Sequence, residues 1–174
     1  SVGAGTSFSM PLDPSVFVHP RALVETDEIG ANTRVWAFAQ VMKGAKIGAN
    51  CNICGFSFVE SGASLGNGVT LKNGIHVWDK VTIEDDVFVG PAVVFTNEKL
   101  PRAFIKSSRE QWLPTVVRRG ATLGAGSVIV CGNEIGEYAF VAAGTVVCSN
   151  VAPYTLVRGN PGRTVGWVCR CLKT

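Results

Sequence analysis

Apolar residues recur along this chain at every sixth position. From Phe17 the series runs through Leu23, Ile29, Val35, Val41, Ile47, Ile53, Val59, Leu65, Leu71, Val77, Ile83 and Val89 to Phe95 without a miss. It resumes at Val117 and continues through Leu123, Ile129, Ile135, Val141 and Val147. Four residues after most rungs stands a small or β-branched side chain: Thr33, Ala39, Ala45, Cys51, Ser57, Ala63, Val69, Ile75, Val81, Val87, Val93. Gly and Asn fill many of the positions between, as in Leu65-Gly66-Asn67-Gly68-Val69.

A helix of 3.6 residues per turn cannot hold a period of six on one face, and a hairpin sheet would not place a Gly-rich corner at every sixth step. The pattern predicts a short flat strand followed by a turn that tolerates left-handed backbone, repeated. Three such faces close a triangle, giving a coil of about 18 residues whose successors stack about 4.8 Å apart. The expected class is all-β, a parallel β-helix forming one unit. Each buried rung is worth roughly 1.5–3 kcal/mol.

The count fails once. Val117 lies 22 residues after Phe95 instead of six, so 16 residues within 96–116 are surplus. Two prolines, several charges and Trp112 mark them as one long protruding loop, and such a loop in a regular solenoid is usually functional or disordered. Trp112 is read either as a cap on a neighbouring subunit or as a ligand contact. The Gly-, Ser- and Pro-containing residues 1–14 read as a loose leader, 15–168 as the single domain, and 169–174 as a tail. After Val147 the repeat dissolves into a short C-terminal cap, strand or helix, of the kind a solenoid needs at its open end.

Charge changes this picture in one respect. The net charge is +3, but residues 1–100 hold 7 Lys/Arg against 10 Asp/Glu, while residues 101–174 hold 9 against 3. A basic C-terminal half invites an anionic partner, and a phosphate-bearing small molecule fits better than nucleic acid, because no basic helix or interleaved aromatic run is present. The run Glu84-Asp85-Asp86 reads as a solvated turn. The six cysteines are too scattered for a disulfide scaffold, and Cys51 falls where the repeat wants a small inward side chain, so no metal is expected. Neither a signal peptide nor a membrane span is visible, and a cytoplasmic protein is expected.

The aliphatic–Gly–small rule resembles that of the hexapeptide-repeat acyltransferases. The stretches IEDDVFVGPAVVFTNEKLPRA (83–103), VVRRGATLGAGSVIVCG (116–132), IGEYAFVAAGTVV (135–147) and VRGNPGRTVGWV (157–168) are similar to the members acting on amino groups of nucleotide-linked sugars. The resemblance implies a left-handed β-helix, a homotrimer with active sites between subunits, and acetyl transfer from acetyl-CoA to the 3-amino group of a dTDP- or UDP-linked sugar. That sugar would serve a surface glycan such as the lipopolysaccharide O-antigen. His76 and Gly162 depart from the residues usual at their positions.

For that reaction the site must hold a neutral amine beside a thioester carbonyl, donate to the developing oxyanion and dispose of one proton. The resemblance gives Asn97, which closes the Phe95-Thr96-Asn97 motif, contact with the substrate near the reacting centre; the plain alternative is a turn cap. His76 is a general base by its chemistry, or only a polar contact. His19 is read as structural. Trp78 suits stacking on a base or sugar, Asp79 suits accepting from hydroxyls or the amine, and Arg102 suits a pyrophosphate or carboxylate. A pantetheine arm is expected along Gly124, Ala125, Ala142, Ala143 and Gly144, with Arg119, Arg158 and Arg163 facing the CoA phosphates; these small corners also serve plain coil stacking. Three alternatives remain: an acyltransferase acting on a hydroxyl or carrying a longer acyl group, a non-catalytic scaffold, and a γ-class carbonic anhydrase, which needs three zinc-binding histidines where this chain has two.

Overall fold

In the computed structural model, which describes residues 11–171, the chain is a left-handed parallel β-helix with three faces. The first sheet has nine strands, from Phe17–Val18 to Arg163–Trp167. The second has seven, from Leu23–Val24 to Val146–Val147, and the third has five, from Lys46–Ile47 to Glu134–Ile135. Most strands are two residues long, so each face is one flat step between corners. Within the regular part, pairing is parallel and 18 residues apart, as in His76 opposite Phe58 and Ile83 opposite Leu65.

The rungs from Ile29 to Phe95 and from Val117 to Val147 are buried, and so is the companion series Thr33 to Val93. Two inward columns per face therefore fill the triangle, and the small members leave room for the large ones.

The first two expected rungs are wrong by one residue. Val18 pairs with Val35 and Val24 with Val41, 17 apart, so Phe17 and Leu23 stand outside the coil and are exposed. A one-residue slip exchanges the two faces of a strand. The first coil is one residue short; the 18-residue spacing returns at Ile29 opposite Ile47, after Thr26, whose buried hydroxyl donates to the Ala45 carbonyl. The repeat also does not end at Val147. Val151 pairs with Ile135 and Val157 with Val141, each 16 apart, and both stay buried. The cap is strand: Thr155–Arg158 folds back against Arg163–Trp167 as the one antiparallel pair of strands described.

Across the loop the register jumps from 18 to 34, as in Thr82 opposite Val116, so the 16 surplus residues leave the coil. The loop spans 96–114, carries one turn of 3-10 helix at Arg109–Gln111, and exposes Leu100 and Phe104 at its outer part. Of the expected leader and tail, residues 1–10 and 172–174 lie outside the described residues; Leu12 packs against the core.

Candidate active site

Three corners run the length of the helix. The corner from first to second sheet holds one left-handed position per coil, occupied in order by Phe38, Phe56, Gly74, Ala92, Gly126 and Gly144. The corner from second to third sheet carries Trp78, Asp79 and Lys80 and then the long loop. Between these corners lies the outer face of the second sheet, with Gln40, Phe58, His76 and Val94 in one column.

His76 is exposed in this column because its neighbours Ile75 and Val77 take the inward positions. Its ring meets Phe58 edge-on at 6.2 Å and lies 5.4 Å from the Trp78 ring. Its imidazole has no hydrogen-bond partner among the described residues. The groove beside it is lined by Phe38, Gln40, Phe56, Ser57, Phe58 and Trp78. Trp78 is fixed by its indole N–H, which donates to the Phe95 carbonyl at 2.8 Å, where the chain leaves for the loop.

Asn97 stands at the neck of that loop. Its backbone carbonyl accepts from the Leu113 N–H at 3.3 Å, closing the neck, while its half-buried side chain takes no partner among the described residues. The amide is thus held by its backbone and left available by its side chain. Trp112 is half-buried, and its indole donates to Ser107 within the loop.

Asp79 sits differently from its expected role. It is 4% exposed, and both carboxylate oxygens accept from the Arg109 guanidinium, Nη2 at 2.9 Å. Its own N–H donates to Glu60 Oε2 at 2.8 Å. The Arg109 hydrogen bonds hold the carboxyl below its ordinary range, against burial, which pushes it up. Lys80 adds bonds to the loop carbonyls of Trp112 at 3.1 Å and Glu110 at 3.4 Å. Asp79 therefore latches the loop to the coil and has no oxygen free of Arg109 for a hydroxyl. Spacing shows no such partner, because Arg109 is 30 residues away inside a segment with no repeat.

The remaining expected residues divide. Ala125, Ala142, Ala143 and Gly144 line the first corner beyond Ala92, and a side chain added at Gly144 would meet nothing within 4 Å. Gly124 serves stacking, since a Cβ there would collide with the backbone of Ala142 and Ala143 one coil on. Arg158 and Arg163 stand opposite each other in the terminal hairpin, at the end of this same corner. Arg119 is elsewhere, on the corner from third to first sheet, where it pairs with Asp85 at 3.1 Å. Arg102 lies in the exposed loop, bridged through its backbone to Ile105, and is not brought to His76 or Asn97 by any described contact. Glu84 and Asp85, read as a solvated turn, hold Arg118 and Arg119. His19 accepts from the Arg21 N–H at 3.1 Å in the first turn. Burial pushes the Cys51 thiol up, and its sulfur faces the Gly66 carbonyl. Among the described residues, no group of three His, Cys, Asp or Glu is placed to hold a metal, and no helix is long and apolar enough to cross a membrane.

Comparison with known proteins decides the family. The model described as "Bacterial transferase hexapeptide (six repeats)" matches residues 28–61. The dTDP-3-amino-3,6-dideoxy-alpha-D-galactopyranose 3-N-acetyltransferase of Aneurinibacillus thermoaerophilus is 54% identical over 155 residues, 89% of this chain and 80% of that protein. The chain belongs to the hexapeptide-repeat acyltransferases. Within them the serine acetyltransferase of Salmonella typhimurium is 34% identical over 104 residues, 59% of this chain but 35% of its own length. Solved relatives share the fold at low identity. A perosamine N-acetyltransferase from Caulobacter crescentus, in complex with CoA and GDP-perosamine, superposes with a TM-score of 0.56 at 19% identity, over 89% of this chain and 55% of that one. An N-acyltransferase from Bacillus cereus, in complex with dTDP and 3-hydroxybutyryl-CoA, superposes at 0.53 and 16%, over 91% and 83%.

Proposed function

We propose that this acyltransferase moves the acetyl group of acetyl-CoA onto the 3-amino group of a dTDP-linked 3-amino-3,6-dideoxyhexose. The observation that carries this reading is the 54% identity over 155 residues with an enzyme named for that reaction. The geometry agrees with it. A groove runs across the second sheet past His76 to Trp78, whose indole bonds the Phe95 carbonyl two residues before Asn97, and the small-residue corner leads from the paired arginines Arg158 and Arg163 toward the same face. Two like charges directly opposite each other in a strand pair are unfavourable, and an anion between them relieves the repulsion. The phosphates of CoA suit that place.

In the reaction the neutral amine attacks the acetyl carbonyl carbon, a C–N bond forms, the C–S bond breaks, and the leaving thiolate takes up the proton the amine sheds. A thioester is already activated, so positioning supplies most of the rate. Asn97 orients the amine by accepting one of its hydrogens, Trp78 covers the sugar, and His76 is a polar wall of the groove. Asp79 acts through Arg109, as a positioning residue for the loop that carries Asn97.

The same reading includes a cytoplasmic homotrimer making a surface-glycan precursor. Exposed Phe17, Phe88, Val94 and Phe104 supply apolar area for subunit contacts. The test is a panel of dTDP- and UDP-linked amino sugars with acetyl-CoA, followed by free thiol release, with sedimentation to give the assembly. Turnover confined to dTDP-linked 3-amino sugars is expected; turnover of serine or a plain sugar hydroxyl instead would favour the second reading, O-acetylation, which the match to serine acetyltransferases motivates.

A further inference from the structure

The first corner carries a feature that neither the coil nor the reaction chemistry requires. Phe38 and Phe56 occupy left-handed backbone at φ 62° and 61°, a region in which a bulky residue is costly. Burial does not offset that cost, since the two residues are 47% and 64% exposed. Their rings stack, centroids 5.0 Å apart with planes at 19°, and Arg21 lies over Phe38 at 5.8 Å from its centroid. The pile Arg21–Phe38–Phe56 thus climbs the corner one coil at a time.

It stops at Gly74. This is the next position in the column, at φ 73°, and a Cβ added there would meet nothing within 4 Å. The one after is Ala92, which offers only a methyl group. Between the Phe56 ring and Ala92 there are two coil spacings, about 9.6 Å, with no side chain at the left-handed position of the coil between. That leaves room for one more flat ring. Beside the gap, Asn73 is exposed, shares a groove with Phe56 and makes no hydrogen bond among the described residues. Its side-chain amide presents one donor and one acceptor, the complement of a pyrimidine imide edge.

We propose that this slot takes the pyrimidine base of the sugar nucleotide, stacked on Phe56 and read at its edge by Asn73. The assignment rests on the reading of the protein as a sugar-nucleotide acetyltransferase. From Gly74 the chain passes along the strand His76–Val77 to Trp78, four residue steps that reach at most about 13 Å. A base in the slot therefore sends its diphosphate across the second sheet and its sugar toward Asn97. The adenine of CoA is chemically similar, but the arginine pair suited to CoA phosphates stands at the far end of the corner.

Three variants test the slot in the intact protein, with dTDP binding followed by calorimetry. Phe56→Ala removes the floor and is expected to weaken dTDP about tenfold, as loss of one base–aromatic stack does. Phe56→Trp keeps the stack and keeps binding. Gly74→Phe extends the pile into the slot, on a backbone that already accepts Phe one and two coils below, and is expected to abolish dTDP binding. In all three the KM for acetyl-CoA and the sedimentation coefficient stay unchanged. Unaltered dTDP affinity in Phe56→Ala and Gly74→Phe would overturn the proposal. So would a change confined to acetyl-CoA, which would give the slot to CoA, or a change of assembly, which would make the rings an interface. If the wild type binds dTDP in a Phe56-dependent way but turns over no 3-amino sugar, the acetyltransferase reading fails and the base slot stands.

Discussion

The second and third sheets are built from the same coil, yet their outer faces have nothing in common. On the third sheet every long charged side chain has a partner. Lys46 meets Glu28 at 3.4 Å, and Arg118 bridges Glu84 and Glu134 at 2.7 Å each. On the second sheet the outward residues are Leu23, Gln40, Phe58, His76, Val94, Val128 and Val146, and the side chains of the two polar ones have no hydrogen-bond partner among the described residues. The inward columns of the two sheets are interchangeable: Val59 and Leu65, or Val77 and Ile83. The difference between the two faces lies in the outward and corner positions, which the coil leaves unconstrained. The third face pairs its charges with one another, whereas the polar side chains of the second are left without partners among the described residues, which is why the proposed site is placed there.

The largest expected effects come from emptying the second face. Asn97→Ala is expected to lower kcat about 100-fold, the scale seen when one positioned hydrogen-bonding group near a reacting centre is lost. His76→Gln keeps a polar wall and is expected to stay within about tenfold of wild type, as for a group that contacts but does not carry the proton. Steady-state kinetics with the amino-sugar nucleotide decides the ranking. If His76→Gln proves the more damaging, His76 is the general base and the thiolate is not the proton's destination.

The next test concerns the latch that sets the two faces apart at their shared corner. Asp79 is buried and Arg109 mostly exposed, so the two halves of the pair are not equivalent. Arg109→Leu strands a buried carboxylate beside Glu60, whereas Asp79→Asn leaves an arginine that can turn to water. Arg109→Leu is therefore expected to speed proteolytic cutting of the loop at Arg102 and Lys106 more than Asp79→Asn does. Both are expected to reduce kcat roughly tenfold through displacement of Asn97. Equal cutting rates in the two variants and wild type would show that the pair does not hold the loop.

The same latch has a pH dependence of known sign. The Asp79 carboxyl is depressed below its ordinary 3.8, so its contribution is complete above that value and is lost as pH falls through the lower, folded value. Loop protection measured by hydrogen exchange is expected to be flat from neutral pH down to about 4 and to fall only below it. A decline beginning near pH 6 would point instead to a histidine.

Much of this architecture was legible from spacing alone, because burial in a coil has a fixed period. Ile29 to Phe95 and Val117 to Val147 follow that period without exception. It misled at Phe17 and Leu23, where a coil one residue short puts Val18 and Val24 inward while both neighbours are apolar and cannot report the slip. It also stopped too early, since two missing residues hide Val151 and Val157. The site was legible only in part. His76 and Trp78 line one groove and Trp78 bonds the Phe95 carbonyl two residues before Asn97, but Asp79 belongs to Arg109, and Arg119 belongs to Asp85 on another corner. Partnership between a loop and a coil follows no period, and a charge run such as Glu84-Asp85-Asp86 gives no sign of the arginines 34 residues on that bind it.

The smallest expected effect comes from the third face, and it carries the comparison's control. Arg118 is more than a third exposed, and so is Glu134, so their hydrogen bond is a solvated one, despite the upward push on the guanidinium and the depression of the Glu134 carboxyl that it causes. Solvated pairs contribute little because water competes for both partners. Glu134→Gln is expected to leave Tm within about 2 °C and kcat unchanged. High salt should have equally little effect on either, since screening acts on the pairs that matter least. Loss of activity in this variant, with the fold intact, would mean that the third face also takes part in the site, as it would if a neighbouring subunit brought it against the second.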